Sequence, residues 1–475
     1  MDNCCAIPER PVRFLIIGGG SAAFSAALKA ADLGAEVTIV NSGLPIGGTC
    51  VNVGCVPSKT LIRAAESLHR AKNAPFAGIE TSGRLADFPS VIAQKRALVE
   101  KLRQAKYVDV VSRVSTIRVL EGEASFVSPR VVAVNGEKIE ADRILIATGA
   151  KPAVPPIPGL EEAGFLTSES LFELEELPES VVVIGGRYIA LECAQMLARF
   201  GSRVTVLQRS PRILPTEEPD LTEALAGYLR DEGIEVVTGV AITRVGRDGS
   251  NVVVSARVDG EERAFTARQV LLATGRKANT EKLNLDAAGV KTDPRGFVEV
   301  DETLETSSPG IFAAGDVIGE PLFVYTAAYE GALAAENAVA GKNEMRDYTA
   351  LPWVIFTDPQ VAGVGLDLRA AREKGIDADS ATLPLTEVPR ALAARDTRGF
   401  IKLVRDRATD KLVGARILAP EGGELVMEVA LAIRHGITRK EIASAFHPYL
   451  TLSEGIKLAA ISFEKDPRNL SCCAS

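Results

Sequence analysis

The sequence predicts an α/β protein that contains one nucleotide-binding unit twice. Glycine-rich turns follow short apolar segments at Gly18-Gly19-Gly20 and at Gly185-Gly186. Far downstream of each turn, an apolar segment ends in Ala-Thr-Gly, at Ile144–Gly149 and at Val270–Gly275. A strand, a glycine turn and a helix in this order form the Rossmann-like unit, whose turn lets a pyrophosphate approach the helix N-terminus. Two such units predict two dinucleotides, which in a redox protein means a flavin and a nicotinamide.

The first unit begins with a predicted strand at Phe14–Ile17, followed by an Ala-rich helix to about Asp32 and a second strand at Glu36–Val40. An acid usually follows the second strand and binds a ribose hydroxyl. Here Asn41 stands in that place, and its amide can still form such a hydrogen bond. The residues predicted to hold this dinucleotide are Gly18, Gly20, Ser21, Ala22, Ala23, Asn41, Thr148 and Gly149.

The second unit comprises a strand at Val181–Ile184, a helix at Leu191–Phe200 and a strand at Arg203–Leu207. Arg209 and Arg212 follow that last strand, and guanidinium groups in this place suit the 2′-phosphate of NADPH. Solvent-facing arginines on a loop are the alternative. Arg187 replaces the central glycine of the turn, where its guanidinium could contact the phosphate. The predicted nucleotide-binding residues are Gly185, Arg187, Tyr188, Arg209, Arg212 and Gly275.

Size and charge exclude several other functions. The chain has 475 residues, which suggests about three domains. Its 54 Lys and Arg against 62 Asp and Glu give a net charge of −8, so it is a poor candidate for binding a nucleic acid backbone. The apolar segments are too short to span a bilayer. Because Met1–Arg10 also lacks the pattern of a signal peptide, we expect a cytoplasmic protein without membrane insertion.

The seven cysteines do not form the framework of a secreted protein, because their number is odd and two pairs are adjacent. Cys50 and Cys55 stand at the start of a predicted helix, whose N-terminus lowers thiol pKa values. Cys472 and Cys473 at the C-terminus suggest soft-metal binding or thiol exchange. We interpret Cys4-Cys5 as incidental and Cys193 as a core residue.

The segment Gly47–Lys59 closely resembles the active site of the pyridine nucleotide-disulfide oxidoreductases, such as glutathione reductase. Ile311–Asp316 looks like the second FAD motif of that family. The resemblance implies a glutathione reductase-like fold with FAD and NADPH, and a homodimer whose active sites are shared between subunits. The implied domains are an FAD-binding domain in two parts (1–150 and 276–342), an NADPH-binding domain (151–275) and a C-terminal α+β dimerisation domain (343–475).

The resemblance also assigns roles. Cys55 would lie against the flavin as the charge-transfer thiol, and Cys50 would be the exchanging thiol. Lys59 and Glu192 would form an ion pair beside the reactive edge of the flavin, and Tyr188 would gate the nicotinamide pocket. The remaining implied FAD contacts are Gly48, Thr49, Lys59 and Asp316.

The segment from His447 to Glu454 separates this chain from glutathione reductase, because it is two residues too long for the family's His-Pro-Thr-x-Ser-Glu. Alignment on Thr451-Leu452-Ser453-Glu454 puts Tyr449 in the place of the acid–base histidine, whereas alignment on His447-Pro448 keeps the histidine but moves the glutamate. We favour the first alignment. A phenol is a poor general base at neutral pH, but it can lie near a soft cation.

With the terminal Cys472-Cys473, this segment resembles the mercuric reductase branch of the family. That resemblance implies reduction of Hg(II), held as a dithiolate complex, by NADPH through FAD. The implied metal ligands are Cys50, Cys55, Cys472 and Cys473, with Tyr449 and Tyr325 lining the inner site. Two alternatives stay open: a disulfide reductase that uses His447, and a non-enzymatic metal-binding or redox-sensing flavoprotein. Many members of the branch carry an N-terminal metal-trafficking domain, which is not expected here.

Overall fold

The computed structural model describes residues 10–469. It contains two five-stranded parallel sheets of the same design and one five-stranded antiparallel sheet. The predicted fold class is therefore confirmed, although the exact domain bounds stay a prediction. None of the described helices is long and apolar enough to cross a membrane.

The first parallel sheet is built mainly from the N-terminal third of the chain. Its elements and those packed beside it are β1 (Arg13–Ile17), α1 (Ser21–Asp32), β2 (Glu36–Asn41), α2 (Gly48–Asn52), α3 (Cys55–Lys72), α4 (Phe88–Arg103), a π-helical turn (Gln104–Val108), α5 (Asp109–Ser112), β3 (Ile117–Glu121), β4 (Ala124–Ser128), β5 (Val131–Val134), β6 (Glu137–Glu140), β7 (Arg143–Ile146) and β8 (Ala150–Pro152).

The second parallel sheet comes from the next part of the chain. The elements there are α6 (Leu160–Ala163), β9 (Leu166–Thr167), α7 (Ser168–Leu171), β10 (Ser180–Ile184), α8 (Tyr188–Phe200), β11 (Arg203–Leu207), α9 (Pro219–Asp231), β12 (Glu235–Val237), β13 (Ala241–Asp248), β14 (Asn251–Val258), β15 (Glu261–Ala267) and β16 (Gln269–Leu272). The strand order is β12-β11-β10-β16-β9.

The chain then returns to the first sheet. The elements are β17 (Arg276–Ala278), a 3-10 turn (Leu285–Ala288), β18 (Ile311–Ala313), a 3-10 turn (Asp316–Ile318) and α10 (Val324–Ala340). Strand β18 pairs with β7 and gives the order β18-β7-β1-β2-β3. Helix α10 packs on α1, where alanines of both helices are buried.

The remaining part forms the antiparallel sheet. Its elements are β19 (Pro352–Ile355), β20 (Gln360–Gly365), α11 (Leu368–Glu373), β21 (Ala378–Pro384), a 3-10 turn (Leu385–Glu387), α12 (Pro389–Ala394), β22 (Phe400–Asp406), β23 (Leu412–Ala419), α13 (Gly422–Arg434), α14 (Arg439–Ser444), α15 (Glu454–Ile461) and a 3-10 turn (Pro467–Asn469). Helices α13 and α15 share one core with this sheet.

Two details of the predicted elements are wrong. Helix α1 begins at Ser21 rather than after Ala23, and α8 begins at Tyr188 rather than after Ala190. In each case the three residues in question already form the first turn of the helix. The two thiols do not start one helix, because the chain breaks at Val53-Gly54 between α2 and α3.

Candidate active site

The first glycine turn requires bare backbone at two places. Gly18 has φ +123°, and a Cβ added there would lie 2.1 Å from the carbonyl oxygen of Ala147. A Cβ added at Gly48 would lie 2.6 Å from the Cα of Gly20. The turn and the helix that carries Cys50 therefore touch through backbone alone, which leaves the N-terminus of α1 open to a phosphate group.

Buried polar groups beside this turn point to a ligand. Thr148 Oγ1 and Arg276 Nε are buried and have no hydrogen-bond partner among the described residues. Asp316 is half-buried with its carboxylate 3.4 Å from Arg276 Nε, and desolvation raises the pKa of this carboxyl. Unsatisfied buried groups are rare in folded proteins and need an explanation, and a bound polar cofactor supplies one. These residues fit FAD.

Asn41 is held by its own sheet. Its side-chain amide donates to the carbonyl oxygen of Leu44 at 3.1 Å and to the carboxylate of Glu121 at 3.0 Å. Its Oδ1 faces Gly19, where an added Cβ would lie 2.1 Å away. Glu121 stands directly opposite Asn41 in the register of β2 and β3. A carboxylate therefore lies at this edge of the sheet, one strand away from the expected position, which the sequence pattern did not reveal.

The second glycine turn repeats the geometry of the first. Gly185 has φ +128°, and an added Cβ would lie 2.3 Å from the carbonyl oxygen of Ala273. Arg187 is exposed and lies 3.5 Å from Glu320. Arg209 is also exposed, whereas Arg212 Nε is buried without a hydrogen-bond partner among the described residues. The loop that carries Arg209 and Arg212 meets this turn where the backbone N–H of Leu214 donates to Gly186, and Arg212 has a donor available for an anion.

Cys50 and Cys55 face each other as free thiols. The hydrogen bond from Cys50 and the positive charge of Lys59 lower the pKa of Cys55 to about 7, against the opposing effect of burial. The same contact and burial raise the pKa of Cys50. Cys55 is therefore the thiolate of the pair near neutral pH, and Cys50 supplies the proton that the pair shares.

Lys59 and Glu192 form the predicted ion pair. Lys59 Nζ donates to Glu192 Oε2 at 2.7 Å, and the ammonium also lies 4.5 Å from the centre of the Phe356 ring. Glu192 is buried, and its other oxygen accepts the backbone N–H of Phe356 at 2.9 Å. This pair therefore links α3, α8 and the antiparallel sheet at one point.

Two tyrosines, Tyr107 and Tyr325, lie near the dithiol, and Tyr188 lies near Tyr325. Burial raises the pKa of Tyr188 to about 12 and also raises that of Tyr325, on which the nearby Cys55 acts in the same direction. Tyr107, which our sequence analysis missed, has a raised pKa because of burial, and Cys50 and Cys55 add to the effect. It lies on the π-helical turn after α4 and packs edge-on against Phe24 at 4.9 Å. No local motif marks it.

The comparisons with known proteins decide the family. Residues 12–331 match the pyridine nucleotide-disulphide oxidoreductase family, and residues 351–460 match its dimerisation domain. The chain belongs to the pyridine nucleotide-disulphide oxidoreductases. It is thus an oxidoreductase of a family that uses FAD and a pyridine nucleotide, and its dimerisation domain supports a homodimer.

Individual members of the family are similar over nearly the whole chain. The mercuric reductase of Staphylococcus aureus is 47% identical over 97% of this chain and 84% of the relative. That of Streptomyces lividans is 44% identical over 97% of this chain and 98% of the relative. The HOCl-induced flavoprotein disulfide reductase RclA from Escherichia coli superposes with a TM-score of 0.84 at 30% identity, covering 94% and 99% of the two chains. The resemblance to mercuric reductases is confirmed.

Two residues, His447 and Tyr449, are candidates for the position of the acid–base histidine, which a disulfide reductase needs. Helix α15 begins at Glu454, whose backbone N–H donates to Thr451 Oγ1 at 3.3 Å. His447 has both ring nitrogens engaged: Nε2 lies 2.7 Å from Glu428, and Nδ1 lies 3.3 Å from the carbonyl oxygen of Ala445. A glutamate thus orients His447 after all, but it comes from α13 rather than from the following turn. Tyr449 is half exposed.

The remaining cysteines divide into two groups. Cys193 is a core residue that is 2% exposed, as predicted. Cys4, Cys5, Cys472 and Cys473 lie outside the described residues. Within residues 10–469, no group of three or more His, Cys, Asp or Glu side chains could hold a metal ion.

Proposed function

We propose that this chain reduces Hg(II) to elemental mercury with electrons from NADPH, which pass through FAD and the dithiol. The observation that carries the proposal is the pair Cys50 and Cys55, in which one thiol titrates near pH 7 beside a lysine. Hg(II) is soft and binds two thiolates, so a pair that is readily ionised suits it. The identity of 44–47% to mercuric reductases supports the same substrate.

The proposed cofactor sites follow the two glycine turns. FAD would bind at Gly18, Gly20, Ser21, Ala22, Ala23, Asn41, Gly48, Thr49, Lys59, Thr148, Gly149 and Asp316. NADPH would bind at Gly185, Arg187, Tyr188, Arg209, Arg212 and Gly275. When bound, FAD supplies the step that takes a hydride from NADPH and passes on two electrons.

The protein's own residues would deliver the metal and hold the charges. Cys472 and Cys473 of one subunit would capture Hg(II) and transfer it by thiolate exchange to Cys50 and Cys55 of the other. Lys59 keeps Cys55 ionised for this exchange, and Glu192 fixes the lysine. Tyr449 and Tyr325 would line the inner metal site.

The overall reaction balances without a further reagent. One NADPH and one Hg(II) give one NADP⁺, one proton and one Hg(0), so two electrons move per metal ion. Such a reaction suits the cytoplasm, where thiols stay reduced.

Anaerobic NADPH oxidation by the FAD-loaded protein, with Hg(II) and excess small thiol, tests the proposal. We expect Hg(II)-dependent turnover with loss of volatile mercury, and a defect in the Cys472→Ala/Cys473→Ala variant. Cys193→Ala is the matched cysteine control and should leave turnover close to that of the wild type, because Cys193 is a buried core residue and not part of the exchanging pairs. Turnover with lipoamide or oxidised glutathione, but none with Hg(II), would overturn the proposal in favour of a disulfide reductase.

A further inference from the structure

Four aromatic rings form one stack beside the dithiol. The ring of Tyr188 stacks on Trp353, at 5.8 Å and 14° between the ring planes, and on Phe323, at 6.1 Å and 17°. Tyr325 stacks on Phe323 at 5.2 Å and 7°. The rings come from α8, β19 and the start of α10, so three separate parts of the chain meet in this stack.

Trp353 is the fixed layer of the stack. It stands opposite Gly363 in the register of β19 and β20, and a Cβ added at Gly363 would lie 2.4 Å from the indole. The guanidinium of Arg416 lies over the indole at 5.4 Å and donates to the buried Glu217 at 2.5 Å. The indole therefore rests on bare backbone under an anchored cation, whereas Tyr188 is held by ring contacts.

The far end of the stack is tied back to its beginning. Tyr325 donates its hydroxyl hydrogen to the carbonyl oxygen of Pro352 at 2.6 Å, and Pro352 immediately precedes Trp353. This hydrogen bond ties the start of α10, which carries Phe323 and Tyr325, to the strand that carries Trp353.

We propose that Trp353 is a positioning residue that holds Tyr188 in the closed position by ring stacking, so that NADPH must move Tyr188 out of its contacts with Trp353 and Phe323. The inference rests on the proposed role of Tyr188 as the gate of the nicotinamide pocket. Opening breaks the ring contacts of Tyr188 and therefore costs free energy, so the pocket is open only part of the time. The apparent affinity for NADPH falls in proportion to the open fraction. Weakening the clamp therefore strengthens nicotinamide binding.

Isothermal titration of NADP⁺ into the oxidised, FAD-loaded protein tests the clamp without mercury. We expect Trp353→Leu, which keeps an apolar side chain but removes the ring, to bind NADP⁺ about 2- to 10-fold more tightly than the wild type. Trp353→Phe keeps a stacking ring and should restore the wild-type affinity. A residue that served only the packing of β19 would leave binding unchanged or weaken it, so either result overturns the clamp.

A second readout uses the fact that Trp353 is the only tryptophan of the chain. Saturating NADP⁺ should raise the quenching of its fluorescence by acrylamide, because Tyr188 leaves one face of the indole. In Tyr188→Ala the quenching should already be high and should not respond to NADP⁺. NADP⁺ binding with unchanged quenching in the wild type overturns the clamp alone, whereas no NADP⁺ binding in either assay overturns the cofactor assignment together with it.

Discussion

Lys59 and Glu192 lie 2.7 Å apart, and Glu192 uses its second oxygen to hold the backbone of Phe356. The lysine lowers the pKa of Cys55, whereas the glutamate raises it. The two members of one ion pair therefore act on the same thiol in opposite directions. Substitutions at the two positions should separate these effects.

Lys59→Met should raise the pKa of Cys55 above its value of about 7, because the substitution removes a positive charge beside the thiolate. The rate at which iodoacetamide alkylates Cys55, measured by mass spectrometry between about pH 5 and 10, gives the midpoint of the thiol titration. The rate at neutral pH should fall. Lys72→Met, at the other end of α3, is the control and should keep the wild-type midpoint. An unshifted midpoint in Lys59→Met would contradict the electrostatic role of the lysine.

Glu192→Gln should shift the same midpoint downward. The amide oxygen can still accept the N–H of Phe356, but the negative charge that opposes ionisation of Cys55 is gone. Alkylation at pH values below about 7 should therefore be faster than in the wild type. A midpoint that moves upward would show that the glutamate acts mainly by keeping Lys59 in place.

Arg199→Ala should destabilise the protein by about 2 kcal/mol, because two largely buried carboxylates lose one of their two cations and keep only Arg398. Arg199 is almost fully buried and donates to Glu232 at 2.7 Å and to Asp358 at 3.0 Å. The midpoint of urea unfolding measures the loss. Arg203→Ala removes an exposed pair with Glu179 from the following strand and should cost about 0.5 kcal/mol or less. Equal losses in the two variants would contradict the importance of burial.

Glu121→Gln should weaken FAD binding about tenfold or more, because Glu121 brings a carboxylate to the edge where a ribose hydroxyl is usually bound. Flavin fluorescence quenching during titration of the apoprotein measures the affinity. Glu123→Gln, an exposed residue two positions further on, is the control and should bind FAD normally. Adding Asn41→Glu to Glu121→Gln returns the carboxylate to the end of β2 and should recover affinity. Unchanged affinity in Glu121→Gln would remove Glu121 from the site.

The sequence predicted those parts of the site where the backbone conformation requires a particular residue type, such as glycine. Gly18 and Gly185 are glycines because any Cβ would meet a carbonyl oxygen, so the requirement is visible as a motif. The family resemblance then placed Lys59 beside Glu192, although the two residues are far apart in the sequence.

The contacts that the sequence could not predict depend on packing between distant segments. The pairing of His447 with Glu428, the position of Tyr107 beside the dithiol and the hydrogen bond from Asn41 to Glu121 have no spacing rule. The break between α2 and α3 was also missed, because the single glycine between the two thiols, Gly54, does not distinguish one helix from two.

Strand β18 has a consequence for how the protein is made. It is the edge strand of the first parallel sheet, but it comes from Ile311–Ala313, whereas the other four strands end by Ile146. On the ribosome, the whole second sheet emerges before the first one can be completed. The first sheet therefore begins earlier than the second but is completed later, and until β18 is synthesised strand β7 remains an unpaired edge that another strand could occupy.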